Sequence, residues 1–199
     1  MIKVYGDSQS GNCYKVKLVL THLDKPFEWV EVSVLNKETR TPEFLAKNPN
    51  GKIPLVELER DVYMSESSAI MYYFAQGSDL LPEADLERAR VLEWLFFEQY
   101  SHEPYIATSR FYLHYLKKPD EYKDLLEQKR GPGCAALDIM EKRLTTHEYL
   151  VGNRYSIADI GLYAYTHVAD EGGFDLGEYP AIRAWLERVK SHPTHVPMV

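Results

Sequence analysis

The periodicity of this chain changes once, between about residues 76 and 85, and no other feature restricts its architecture so strongly. Before the change, short strand-like runs alternate with single helical patterns; after it, nearly everything reads as helix. Ile2-Lys3-Val4 is a short strand, and Gly6 to Asn12 a polar loop. A helix follows, with Val16, Val19, Leu20 and Leu23 spaced as one buried face. Phe27 to Val32 returns as a strand, and a strand-helix-strand crossover predicts parallel pairing with a right-handed connection. Residues 33–51 are mostly irregular around a short helical piece, Pro42 to Ala46. Leu55 to Leu58 and Val62 to Met64 predict a hairpin about Glu59-Arg60-Asp61, and Ser65 to Ala75 closes the half as a helix.

The order strand, helix, strand, strand, strand, helix thus occupies residues 1–78, residues 79–84 form a linker, and residues 85–199 predict an all-helical domain. Its helical patterns run near 85–116, 120–146, 156–170 and 180–190, with Gly131-Pro132-Gly133 interrupting the second. In the last, Ile182, Trp185, Leu186 and Val189 share a face. Ser156-Ile157-Ala158-Asp159 is a capping-box start, in which the serine accepts a backbone N–H and the acid reaches back.

A chain of 199 residues with 45% hydrophobic residues can build a full core. A net charge of −7 repels phosphate backbones and anionic bilayers, which argues against nucleic-acid or membrane partners. The longest apolar run, Ala69 to Ala75, is far short of a membrane span, and the N-terminus has no secretory pattern. Cys13 and Cys134 make neither a disulfide framework nor a zinc site, and no paired-histidine metal motif occurs, so the reading is a metal-free protein of the reducing cytoplasm.

Three short segments carry chemistry. Ser8-Gln9-Ser10-Gly11-Asn12-Cys13 precedes the first helix, where unpaired N–H groups favour an anion such as a thiolate; Ser and Asn are also ordinary helix caps. Lys52-Ile53-Pro54 enters a strand, and a cis bond at Pro54 would turn the Ile53 backbone outward to pair with an extended ligand peptide. Ser65-Glu66-Ser67-Ser68 opens a helix, where Glu66 can hold an ammonium and the Ser67 end a carboxylate, the two charges of an amino-acid head; capping alone also explains it.

In order and spacing, these three segments followed by an all-helical half resemble the cytosolic glutathione S-transferases along the whole chain. The Ser156–Asp159 box and the Tyr179-Pro180-Ala181-Ile182 helix start are similar to that family's second domain, and Trp94 to Pro104 is similar to a bacterial branch. The resemblance implies a thioredoxin-like first domain that binds glutathione as co-substrate, a helical domain forming much of the pocket for a small electrophilic or peroxide substrate, and a homodimer. It places Ser10 where serine-type members keep the hydroxyl that donates to the glutathione sulfur. Glu66 and Ser67 match the positions for the γ-glutamyl head, and Ile53, before Pro54, the one whose backbone pairs with the cysteinyl portion. Arg40 and Lys52 meet the glycyl carboxylate, with Thr39 standing where many relatives keep histidine. Tyr105, Arg110 and His114 fall in the second-substrate pocket.

Ser8, Asn12 and Tyr5 are the alternatives to Ser10 as sulfur partner, and Cys13, three residues on, superficially makes half of a redox motif although its position faces inward in the family. The implied activity is a detoxifying glutathione transferase. The competing readings are glutathione-dependent reduction of disulfides or peroxides and a non-catalytic interaction module on the same fold.

Overall fold

The computed structural model describes residues 1–199, which divide into two compact units, Met1–Ser78 with Pro193–Val199, and Asp79–His192. The first holds a four-stranded sheet in the order β2-β1-β3-β4, made of β1 (Ile2–Gly6), β2 (Phe27–Glu31), β3 (Leu55–Glu59) and β4 (Val62–Ser65). β1 runs parallel to β2, as the crossover pattern predicts, and antiparallel to β3; β3 and β4 form the expected hairpin. The helices of this unit are α1 (Gly11–His22), α2 (Pro42–Lys47) and α3 (Ser67–Ala75). Alternation along the strands splits the core. Tyr5 and Leu55 pack with Val32, Phe44 of α2, Ile53 and Tyr63, while the buried stripes of α1 and α3, including Val16, Val19, Leu20, Ile70 and Met71, pack on each other.

Residues 193–199, read from sequence with the helical half, belong with the first unit because α1 holds them. Tyr14 Oη donates to Val196 O at 2.6 Å, Lys17 Nζ to Pro197 O at 2.9 Å, and His22 Nδ1 lies 2.8 Å from Thr194 Oγ1. Met198 is buried there.

The second unit contains α4 (Asp85–Phe97), α5 (Ile106–Arg110), α6 (Lys123–Leu144), α7 (Ile157–Thr166) and α8 (Pro180–Lys190). The single helix expected over 85–116 is broken into α4, a π-helical turn at Glu98–His102, α5 and a second π-helical turn at Phe111–Tyr115. The break between the first π turn and α5 contains Pro104, which lacks the N–H that a continuous helix needs. Conversely α6 runs unbroken through Pro132, where the sequence reads an interruption. Gly133 allows the close packing there, since a Cβ would lie 2.4 Å from the Phe174 ring. All ten residues of α7 are buried, and no helix is long and apolar enough to cross a membrane.

The Ser156–Asp159 box forms at the start of α7. Asp159 Oδ2 accepts from the Ser156 N–H at 3.0 Å and from its hydroxyl at 3.1 Å, and Oδ1 accepts from the Leu150 N–H and the Trp185 indole, both at 3.0 Å. Burial pushes the carboxyl up to about 6, against the lowering by those four donors. An acid whose pKa is raised on folding binds protons more tightly in the native state, so its contribution to stability declines as pH rises from about 4 to 6. A wild-type stability that instead rose relative to Asp159→Asn across that window, measured by urea titration at several pH values, would contradict this assignment.

Candidate functional site

The loop between β1 and α1 is held at both ends. Ser10 N–H donates to Asp7 O at 2.9 Å, while Glu31, at the end of β2, accepts the Ser8 N–H at 2.9 Å and the Trp29 indole at 2.6 Å. Ser10 is the helix cap, with extended backbone and Oγ 3.4 Å from the Cys13 nitrogen. That distance is long for a hydrogen bond, and capping uses only an oxygen lone pair, so the hydroxyl proton remains a donor. A half-buried hydroxyl at the positive end of a twelve-residue helix is a site at which a thiolate is favoured.

The start of α3 is built differently. Glu66, its N-terminal residue, has φ 68° and ψ 108°, a region costly for any residue with a Cβ. No side chain caps α3, whereas Ser10, Thr41 and Ser156 cap α1, α2 and α7. Ser68 Oγ is buried without a partner at the same end. The open N–H groups and hydroxyl of this nine-residue helix suit an incoming carboxylate, and exposed Glu66 beside them suits an ammonium.

A third edge of the site comes from residues 39–54. The Ile53–Pro54 bond is cis, and Ile53 lies ahead of the ladder, whose pairing begins at Leu55, so its backbone groups stand outside the sheet. Asn48 Nδ2 holds Lys52 O at 2.7 Å and leaves the Lys52 side chain exposed. Arg40 Nη1 donates to Asn50 O at 3.2 Å across Gly51, whose φ of +60° and close approach to that guanidinium exclude a side chain. Thr39 is buried. Arg40 and Lys52 are therefore brought to one turn, and Thr39 is tucked beneath it.

Tyr5, one alternative to Ser10, and Cys13, the redox candidate, are otherwise engaged. Tyr5 Oη donates to Glu57 Oε2 at 2.8 Å, and burial together with that carboxylate pushes the phenol up to about 12. Cys13 is fully buried against Gly6, and desolvation pushes its thiol up to about 12, overriding the lowering by Ser10 and the Asp7 backbone. A thiol so placed is inert. Tyr5→Phe and Cys13→Ala are each expected to keep glutathione-dependent turnover within about threefold of wild type; loss of turnover in Cys13→Ala alone would restore the redox reading.

In the second unit, Arg110 is 4% exposed, and its Nε lies 2.5 Å from Glu171 Oε2, so the anion it meets belongs to its own chain. His114 Nδ1 is 3.4 Å from the same oxygen, and Tyr105 lies under the Lys129 ammonium. Glu171 gives no sign of this role in sequence, since the pairing spans 61 residues. Lys15 was also missed. It shares the stripe of Asn12, Val16 and Val19, and a lysine in an apolar stripe is the one trace the sequence offers.

Two family models match the chain: the N-terminal domain of glutathione S-transferase over residues 4–80 and its C-terminal domain over residues 96–193. A solved glutathione S-transferase from Pseudomonas fluorescens Pf-5 is 57% identical, covers 100% of this chain and 98% of its own, and superposes with a TM-score of 0.97. The disulfide-bond oxidoreductase YfcG of Escherichia coli K12 is 29% identical, covering 92% of this chain and 87% of its own. Another glutathione transferase family member of Pseudomonas fluorescens Pf-5, solved with two glutathione molecules bound, is 27% identical, with a TM-score of 0.84 over 97% of this chain and 89% of its own.

Proposed function

The chain belongs to the glutathione S-transferase family, and from that premise we propose that it is a glutathione transferase in which Ser10 activates the bound thiol for attack on an electrophilic small molecule. The observation that carries the assignment is the pair of helix starts in the first unit: one presents a hydroxyl donor, the other an uncapped N-terminus beside a strained acid. The thiol meets Ser10 and the positive end of α1. The γ-glutamyl carboxylate takes the free N–H groups of α3, its ammonium meets Glu66, and the cysteinyl backbone pairs with Ile53. Arg40 and Lys52 receive the glycyl carboxylate.

The reaction forms one carbon–sulfur bond. The thiolate attacks an electrophilic carbon, the leaving group departs with its electron pair, and the proton lost from sulfur passes to solvent. A free thiol of pKa about 8.5 is only a few per cent ionised at pH 7, so a shift of about two units supplies nearly 3 kcal/mol toward the reactive form. Tyr105 and His114 are assigned to the second substrate, with Arg110 serving through its ion pair to Glu171. The exposed Leu86 and Phe96 of α4, with Tyr100 beyond it, support a homodimer, which sedimentation at micromolar concentration tests.

The similarity to a disulfide-bond oxidoreductase supports a second reading, reduction of disulfides or peroxides by the same bound thiolate. Since Cys13 is inert, the resulting disulfide would form between two glutathione molecules. Coupling to glutathione reductase separates the two activities, because only reduction consumes NADPH. Conjugation of an activated aryl halide without NADPH consumption is expected; the converse pattern would make the chain a reductase. The proposed place of action is the cytoplasm, in detoxification.

A further inference from the structure

The two helix starts that share the ligand come from segments 55 residues apart, and one side chain joins them. Asn12 Oδ1 accepts the Ser67 hydroxyl at 3.2 Å and the Lys15 ammonium at 2.7 Å. An ammonium has donors only, so the amide must turn its oxygen toward it; that orientation in turn makes the Ser67 hydroxyl a donor to the same oxygen. Lys15 is 0% exposed, and a charge-assisted bond formed away from water is stronger than its surface counterpart. Its side chain runs back over the preceding turn, as helical side chains do, which brings the charge from the middle of α1 to its start.

We infer that Lys15 is a positioning residue for glutathione: by locking the Asn12 amide it couples the thiol-binding start of α1 to the glutamyl-binding start of α3. This rests on the proposed glutathione site. A tripeptide that must reach both starts at once gains affinity from their fixed spacing, because the ordering cost is met before it binds. In this role Lys15 touches no part of the ligand and acts through its bond to Asn12 and the bond of Asn12 to Ser67.

The test is a double-mutant cycle read by glutathione titration calorimetry and by ultraviolet titration of the bound thiol. Lys15→Met and Asn12→Leu are each expected to weaken glutathione binding roughly tenfold and to raise the pKa of the bound thiol. Their combination is expected to do no worse than either alone, and Lys15→Arg to restore most of the affinity. Losses that multiply in the double variant, or a Lys15→Met protein with wild-type affinity and thiol pKa, would overturn the inference. Should Lys15→Met fail to fold, Asn12→Leu, at a half-buried position, reads the same link, and unchanged binding there is equally fatal. A wild-type protein that binds no glutathione at millimolar concentration removes the glutathione site itself, and the role of Lys15 falls with it.

Discussion

Replacing Ser10 by alanine is expected to raise the pKa of bound glutathione by about two units and to lower turnover at pH 7 roughly three- to fourfold. The thiolate fraction at neutral pH falls about 25-fold for such a shift, and the higher intrinsic nucleophilicity of a more basic thiolate returns part of the loss. The effect has a pH signature. Above about pH 9, where the mutant thiol ionises unaided, turnover should approach that of wild type. Loss of the α1 cap alone costs about 1 kcal/mol of stability and would leave the bound-thiol titration where it is. A Ser10→Ala protein with unchanged thiol pKa and unchanged turnover would take Ser10 out of the mechanism and return Ser8 or Asn12 to consideration.

The largest expected effect on stability is that of Asp159→Ala. The substitution strips acceptors from the Leu150 N–H, the Ser156 N–H and hydroxyl, and the Trp185 indole, in a site where Asp159 and Trp185 are both 0% exposed. Each buried donor left unsatisfied costs about 1–3 kcal/mol, and partial relaxation brings the total to about 4 kcal/mol. Because α7 is buried along its whole length and contacts α4, α5 and α8, the loss spreads through the helical unit. A fall in Tm of about 10 °C is expected for a chain of this size, followed by calorimetry. A fall of less than about 3 °C would mean that water replaces the carboxylate at the box.

Much of this was legible in the residues because the relevant physics is local. Apolar stripes placed α1 and α8, a serine with an acid three residues on placed the start of α7, and the crossover pattern predicted parallel β1 and β2. Ser10 and Glu66-Ser67 were visible as helix starts for the same reason. What sequence could not separate there was capping from ligand binding, and the structure distinguishes the two ends: the Ser10 oxygen caps α1, while α3 is left uncapped behind a residue of positive φ.

The remaining features depend on which distant residue arrives at a given point. Pro132 reads as an interruption, yet α6 passes through it and Gly133 accepts the Phe174 ring from another part of the unit. Arg110 was placed in the second-substrate pocket by resemblance, and only the structure sets Glu171 beside it; only the structure likewise buries Lys15 on α1 and joins it, through Asn12, to Ser67. The element order of the first unit, the starts of α1 and α7 and the buried stripes of α1 and α8 were determined by the sequence itself, since hydrogen bonds and side-chain periodicity within a few residues decide them. The partners of charges and the sealing of Cys13 were decided only by tertiary structure, since desolvation and pairing energies depend on neighbours that the chain brings from far along its length.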